Sequence, residues 1–129
     1  MVERLATFHE FFQSNQNKRL LAVYGGAGSG KSVATAQHIV YLLLTHPNAR
    51  ILVIRKTLPA LRITAYRLIL DILYQMQVPF YLNKSELVIR FNNSEILFKG
   101  LDDPEKIKSY EANYVWCEEA TEITKEDFL

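Results

Sequence analysis

Gly25-Gly26-Ala27-Gly28-Ser29-Gly30-Lys31-Ser32 constrains this chain more than any other stretch, because of what stands on either side of it. Ahead of it, Arg19 to Tyr24 contains a short apolar run, Leu20, Leu21, Ala22 and Val23. A run without polar alternation suits a strand covered on both faces. Behind it, Lys31 to Thr45 is rich in Ala, Val, Ile and Leu and is stopped by Pro47 and Asn48, the pattern of a helix. Arg50 to Arg55, with Ile51, Leu52, Val53 and Ile54, is a second buried strand. Strand, helix and strand at this spacing predict a right-handed parallel crossover. The fold class that follows is α/β, a sheet flanked by helices.

The rest of the chain extends that unit. Arg4 to Ser14 reads as a short amphipathic helix with Leu5, Phe8, Phe11 and Phe12 on one side. Thr57 can cap a third helix with Pro59 in its first turn, and Leu58, Leu61, Ala65, Leu68, Ile69, Ile72, Leu73 and Met76 follow at helical spacing. Leu87 to Phe91 and Ser94 to Lys99, joined by Asn92-Asn93, predict a hairpin. Tyr114 to Cys117 is one more apolar strand, ending at Glu118-Glu119. No repeat or Pro/Gly-rich linker divides the 129 residues, so they form one domain or part of one.

Composition excludes several classes. With 49% apolar and 22% charged residues the chain is neither disordered, collagenous nor a coiled coil. Fifteen basic against fourteen acidic residues leave a net charge of +1, so any nucleic-acid surface has to be local. Cys117, the single cysteine, cannot form an internal disulfide and suits a reducing cytosol. The longest strongly apolar run, Ile39 to Leu44, is far short of the ~20 residues that span a bilayer. The expectation is a soluble, cytoplasmic protein without a membrane partner.

The glycine stretch fits G-x-x-x-x-G-K-[ST] at every fixed position, between a strand and a helix as that motif requires. Glycines let the backbone wrap a phosphate and turn several N–H groups inward. The helix that follows points its positive end at the same place. Gly25, Gly26, Ala27, Gly28, Ser29, Gly30, Lys31 and Ser32 are therefore the candidate nucleotide-binding residues, Lys31 reaching the β and γ phosphates and Ser32 ligating Mg²⁺. A strand ending in two acids places carboxylates at the carboxyl edge of the sheet, where open α/β sheets bind ligands. Glu118 is positioned to hold the Mg²⁺ and Glu119 to polarise an attacking water; the bland alternative is a solvated helix start. Arg55 and Lys56 end the second strand at the same edge, and Arg62 and Arg67 lie on the next helix. Arg55 is the best candidate among them for phosphate contact, and Arg67 reads as an ordinary solvated side chain. Lys99, Lys106 and Lys108 read as exposed. His9, His38 and His46 have no metal-ligand spacing, and Cys117 and Trp116 read as core.

Together, Gly25 to Ser32, Ile54-Arg-Lys-Thr57 with Leu61-Arg62, Phe98-Lys-Gly-Leu-Asp102, Lys106-Ile-Lys-Ser109 and Trp116-Cys-Glu-Glu-Ala-Thr-Glu-Ile123 resemble the large terminase subunit of tailed bacteriophages, and most closely its PBSX-type branch. The resemblance runs from about residue 15 to the end. It implies a three-layer P-loop NTPase sheet of the RecA-like, additional-strand (ASCE) type, and an ATPase motor that pumps double-stranded viral DNA into a procapsid. It also implies ATP and Mg²⁺ as cofactors. Lys31 and Ser32 would bind phosphates and metal, Glu118 would be the Walker B acid, and Glu119 with Lys31 would be catalytic. Gln13 or Gln16 would meet adenine. A small terminase subunit, a portal protein and a homo-oligomeric ring are the implied partners.

Two departures qualify the resemblance. Ala27 stands where many relatives have arginine, so any role of that arginine is lost or moved. Residues 1–129 match only the N-terminal part of the ATPase domain, truncated after the Walker B strand, with the family's nuclease domain not represented. In the family's sheet a fourth strand lies between the first and third, so its loss is expected to leave a gap. The competing readings are a helicase-like or kinase-like P-loop ATPase, and a non-catalytic prophage remnant that binds without turnover.

Overall fold

The computed structural model describes residues 19–22 and 30–118, with only the backbone described at 19–22, Gly30 and Lys31. Six strands form one sheet: β1 (Arg19–Ala22), β2 (Arg50–Arg55), β3 (Tyr81–Asn83), β4 (Val88–Phe91), β5 (Ser94–Gly100) and β6 (Tyr114–Cys117). Four helices accompany them: α1 (Gly30–Thr45), α2 (Leu58–Arg62), α3 (Ala65–Gln75) and α4 (Pro104–Ser109). The predicted N-terminal helix lies outside the described residues. The strand order is β1-β6-β2-β5-β4-β3. The first four run parallel, while β5, β4 and β3 form an antiparallel meander.

Alternation along each strand divides the core into two layers. Ile51 and Val53 of β2, Phe98 of β5 and Trp116 of β6 face one side, where α1 supplies Ala36, Ile39, Val40 and Leu43 and the α2–α3 pair supplies Leu61, Ala65, Ile69 and Leu73. Leu52, Ile54, Val115 and Cys117 face the other side with Leu101, Ala112 and Ile107 of α4. Successive side chains of a strand point to opposite faces, so one four-residue apolar run serves both layers. All four inner residues of β2 are fully buried, as a central parallel strand requires.

The crossover, β2, β6 and the hairpin stand where the sequence places them. Asn92 takes a left-handed φ of 52° at the hairpin turn, a conformation asparagine tolerates better than most residues. Three expectations need correction. The expected gap beside the first strand does not exist: β6 is paired in register with β1 from Arg19↔Tyr114 to Ala22↔Cys117 and with β2 on its other side. Open backbone donors and acceptors inside a sheet must find partners, and direct pairing supplies them. The described strands therefore form a mostly parallel α/β sheet.

The single helix expected after Thr57 is two helices, broken at Ile63 and Thr64. Thr57 does cap α2, its hydroxyl accepting the Ala60 N–H at 3.4 Å. The Thr64 hydroxyl then bonds back to the Ala60 carbonyl at 2.8 Å, and its backbone leaves the helical region at φ −121°, ψ −99°. Such back-bonding competes with helix continuation. The third correction is Lys99, which is not exposed: it is half-buried and pairs with Asp103 at 3.8 Å. β3 and α4 carry too few residues for periodicity to reveal them.

Candidate nucleotide site at the carboxyl edge of the sheet

Parallel register brings four strand ends level. Cys117 lies beside Ala22 on one side and Ile54 on the other, and Arg55 lies beside Gly100. β1 thus ends at the same edge as Arg55 and Glu118. α1 begins at Gly30, with Lys31 and Ser32 in its first turn and Ser32 half-buried. Gly25, Gly26, Ala27, Gly28, Ser29 and Glu119 lie outside the described residues, as does the Lys31 side chain and both candidate adenine contacts, Gln13 and Gln16.

Glu118 is the best-defined functional candidate. Its backbone N–H donates to the Ile54 carbonyl at 2.8 Å, extending the β6–β2 ladder by one bond and fixing the carboxylate directly above the sheet edge. Only 4% of the residue is exposed. A buried carboxylate needs compensation. Arg55 Nη1 lies 3.6 Å from Glu118 Oε1, and the Thr64 hydroxyl donates to the same oxygen at 2.5 Å. Arg55 Nη1 also donates to Thr64 Oγ1 at 3.2 Å, which closes a three-residue network. Two members were readable in the sequence. Thr64 was not, because it sits inside an apolar helical pattern; a threonine between Ile63 and Ala65, able to bond back onto its own turn, is the one signal that marked it.

Close backbone contact holds α2 against this edge. A Cβ built on Gly100 would meet the Leu58 backbone nitrogen at 2.6 Å and would also collide with the Asp102 carboxylate, so only glycine fits where β5 passes the start of α2. That contact sets where Thr64 hangs over Glu118. Lys56, Arg62 and Arg67 are exposed, as are Lys106 and Lys108 on α4. Cys117 and Trp116 are fully buried on opposite faces, and burial pushes the Cys117 thiol well above its ordinary range.

The donors fit a hard cation. Ser32 and Glu118 offer oxygen only, and Mg²⁺ typically takes one or two protein oxygens while phosphate and water supply the rest. Among the described residues no group of three or more His, Cys, Asp or Glu side chains is placed to hold a metal ion. No described helix is long and apolar enough to cross a membrane.

Comparison with known proteins agrees with this architecture. A solved large terminase ATPase domain of Thermus phage P74-26 superposes with a TM-score of 0.63 at 20% identity, covering 79% of this chain and 48% of that one. The large terminase of a thermophilic bacteriophage superposes at 0.67 with 14% identity, covering 96% of this chain and 33% of that one. At these identities the likeness is one of fold. The PBSX phage terminase large subunit of Bacillus subtilis (strain 168) is 32% identical over 99% of this chain, which spans 30% of that relative's length. The sequence profile described as "Phage terminase large subunit" matches residues 17–129. This chain therefore belongs to the phage terminase large subunit family.

Proposed function

We propose that this chain binds ATP with Mg²⁺ and forms the front of the ATPase domain of a motor that drives double-stranded viral DNA into a procapsid. The observation that carries the reading is Glu118, buried at the carboxyl edge of a parallel sheet, level with the end of the strand that leads into the glycine loop. In this reading the glycine stretch Gly25 to Gly30 and the N-terminal end of α1 would receive the phosphates, and Lys31 would add a cation. Ser32 and Glu118 would hold Mg²⁺, which when bound would neutralise charge on the phosphates. Glu119, next along the chain, orients the attacking water. Arg55, 3.6 Å from Glu118, balances the charge of that carboxylate. Assembly of such chains into a ring, with a small terminase subunit and a portal protein as partners, belongs to the same reading.

Thermal unfolding of the chain with and without Mg²⁺-ATP tests it. A ligand that binds only the folded state stabilises by about 2.7 kcal/mol at a hundredfold excess over Kd. The midpoint is expected to rise in the wild type and to stay put in Lys31→Ala. A wild type blind to ATP, or a Lys31→Ala variant that responds equally, removes the proposal.

A further inference from the structure

The network around Glu118 contains a conflict in its count of hydrogens. Thr64 Oγ1 carries one hydrogen. Two strong acceptors stand within reach of it, Glu118 Oε1 at 2.5 Å and the Ala60 carbonyl at 2.8 Å. The Leu61 carbonyl, at 3.5 Å, is a distant third. Arg55 Nη1 occupies a lone pair of the same oxygen at 3.2 Å. The hydroxyl therefore serves either the carboxylate or the last turn of α2, and rotation about Cβ–Oγ1 exchanges the two without moving a heavy atom. A carboxylate is a stronger acceptor than a peptide carbonyl, so Glu118 has the stronger claim on that hydrogen.

We propose that Thr64 is a positioning residue for Glu118, and that its single hydroxyl hydrogen makes the α2–α3 junction responsive to the state of that carboxylate. While Glu118 accepts from Thr64, the carboxylate keeps one orientation between Thr64 and Arg55, and the Ala60 carbonyl lacks this partner. When positive charge near Glu118 draws the carboxylate's electrons away, the hydroxyl turns to Ala60 and completes the end of α2. The junction is well placed to pass this on. Thr64 accepts the first backbone bond of α3 from Leu68 N–H at 2.9 Å and donates its own N–H to Leu61 at 3.2 Å. One residue thus bonds the acid, the end of one helix and the start of the next.

The inference rests on Glu118 serving a metal–nucleotide site, so its test carries a control for that reading. The chain is titrated with Mg²⁺ at fixed ATP, following the unfolding midpoint and amide exchange at Thr64 and Leu68, in the wild type, Thr64→Ser, Thr64→Val and Lys31→Ala. Thr64→Val is expected to keep the wild-type response to ATP in EDTA. The Mg²⁺ concentration giving the half-maximal further rise should fall several-fold, because in Thr64→Val the ion no longer displaces a hydroxyl bond from the carboxylate. Thr64→Ser should behave as wild type. Exchange at Leu68 should respond to Mg²⁺-ATP in the wild type and Thr64→Ser only. A purely structural threonine would lower the starting midpoint of Thr64→Val and leave its Mg²⁺ requirement unchanged; that result overturns the proposal, as does failure of serine to rescue. A wild type that matches Lys31→Ala in ignoring ATP overturns the nucleotide reading and this inference with it. If Thr64→Val does not fold, Thr64→Ala carries the same expectation, because it removes the same hydroxyl.

Discussion

The two halves of the sheet each hold an arginine–glutamate pair, and the pairs could hardly differ more. In the parallel half Arg55 and Glu118 lie 3.6 Å apart with side chains 16% and 6% exposed. In the meander Arg90 and Glu95 lie 3.4 Å apart with side chains 45% and 19% exposed. The second pair sits directly across the β4–β5 ladder, where Tyr110 also donates to Glu95 at 2.8 Å. Water screens that pair, and all it has to do is favour one register. The first pair is taken out of water at an edge where helices and strand ends converge. Desolvation makes such a pair a poor source of stability but a firm way to hold a carboxylate in place.

Mutations can break this comparison or sharpen it. The largest loss is expected at the centre of the parallel half, where Trp116→Ala should cost about 4 kcal/mol, the range for deleting a fully buried aromatic. Urea unfolding would read it, and a loss below about 1 kcal/mol would mean that the β1-β6-β2 packing does not carry the core. Arg55→Ala should come next, at about 3 kcal/mol, because it strands a buried carboxylate. Arg90→Ala should cost less than about 1 kcal/mol, and that little should fade as salt is added. Equal effects of the two arginine variants would erase the distinction between the halves.

Much of this was legible in the sequence, and for a physical reason. β2 and β6 are apolar on both faces, which only a covered parallel strand explains, so their ends and the acid beyond Cys117 could be placed from the residues alone. The hairpin declared itself through Asn92-Asn93. What could not be read was tertiary in origin. The helix break at Thr64 is made by a hydroxyl that answers to Glu118, fifty-four positions away. The direct β1–β6 pairing reflects which backbone groups have to be satisfied, a matter on which side chains carry no mark. β3 is held by its partner strand and by the stack of Arg90 over Tyr81 at 5.5 Å, with too little pattern of its own.

Trp116 is the only tryptophan of the chain and stands on β6, two residues before Glu118. Its indole is fully buried in the core that the sheet shares with α1, and its N–H has no hydrogen-bond partner among the described residues. The protein therefore carries its own optical reporter at the heart of the parallel half. Emission from a buried indole lies to the blue and shifts red once water reaches it. Fluorescence alone, with no label attached, can thus watch this half of the sheet open while the meander, which has no tryptophan, stays silent at the same wavelength.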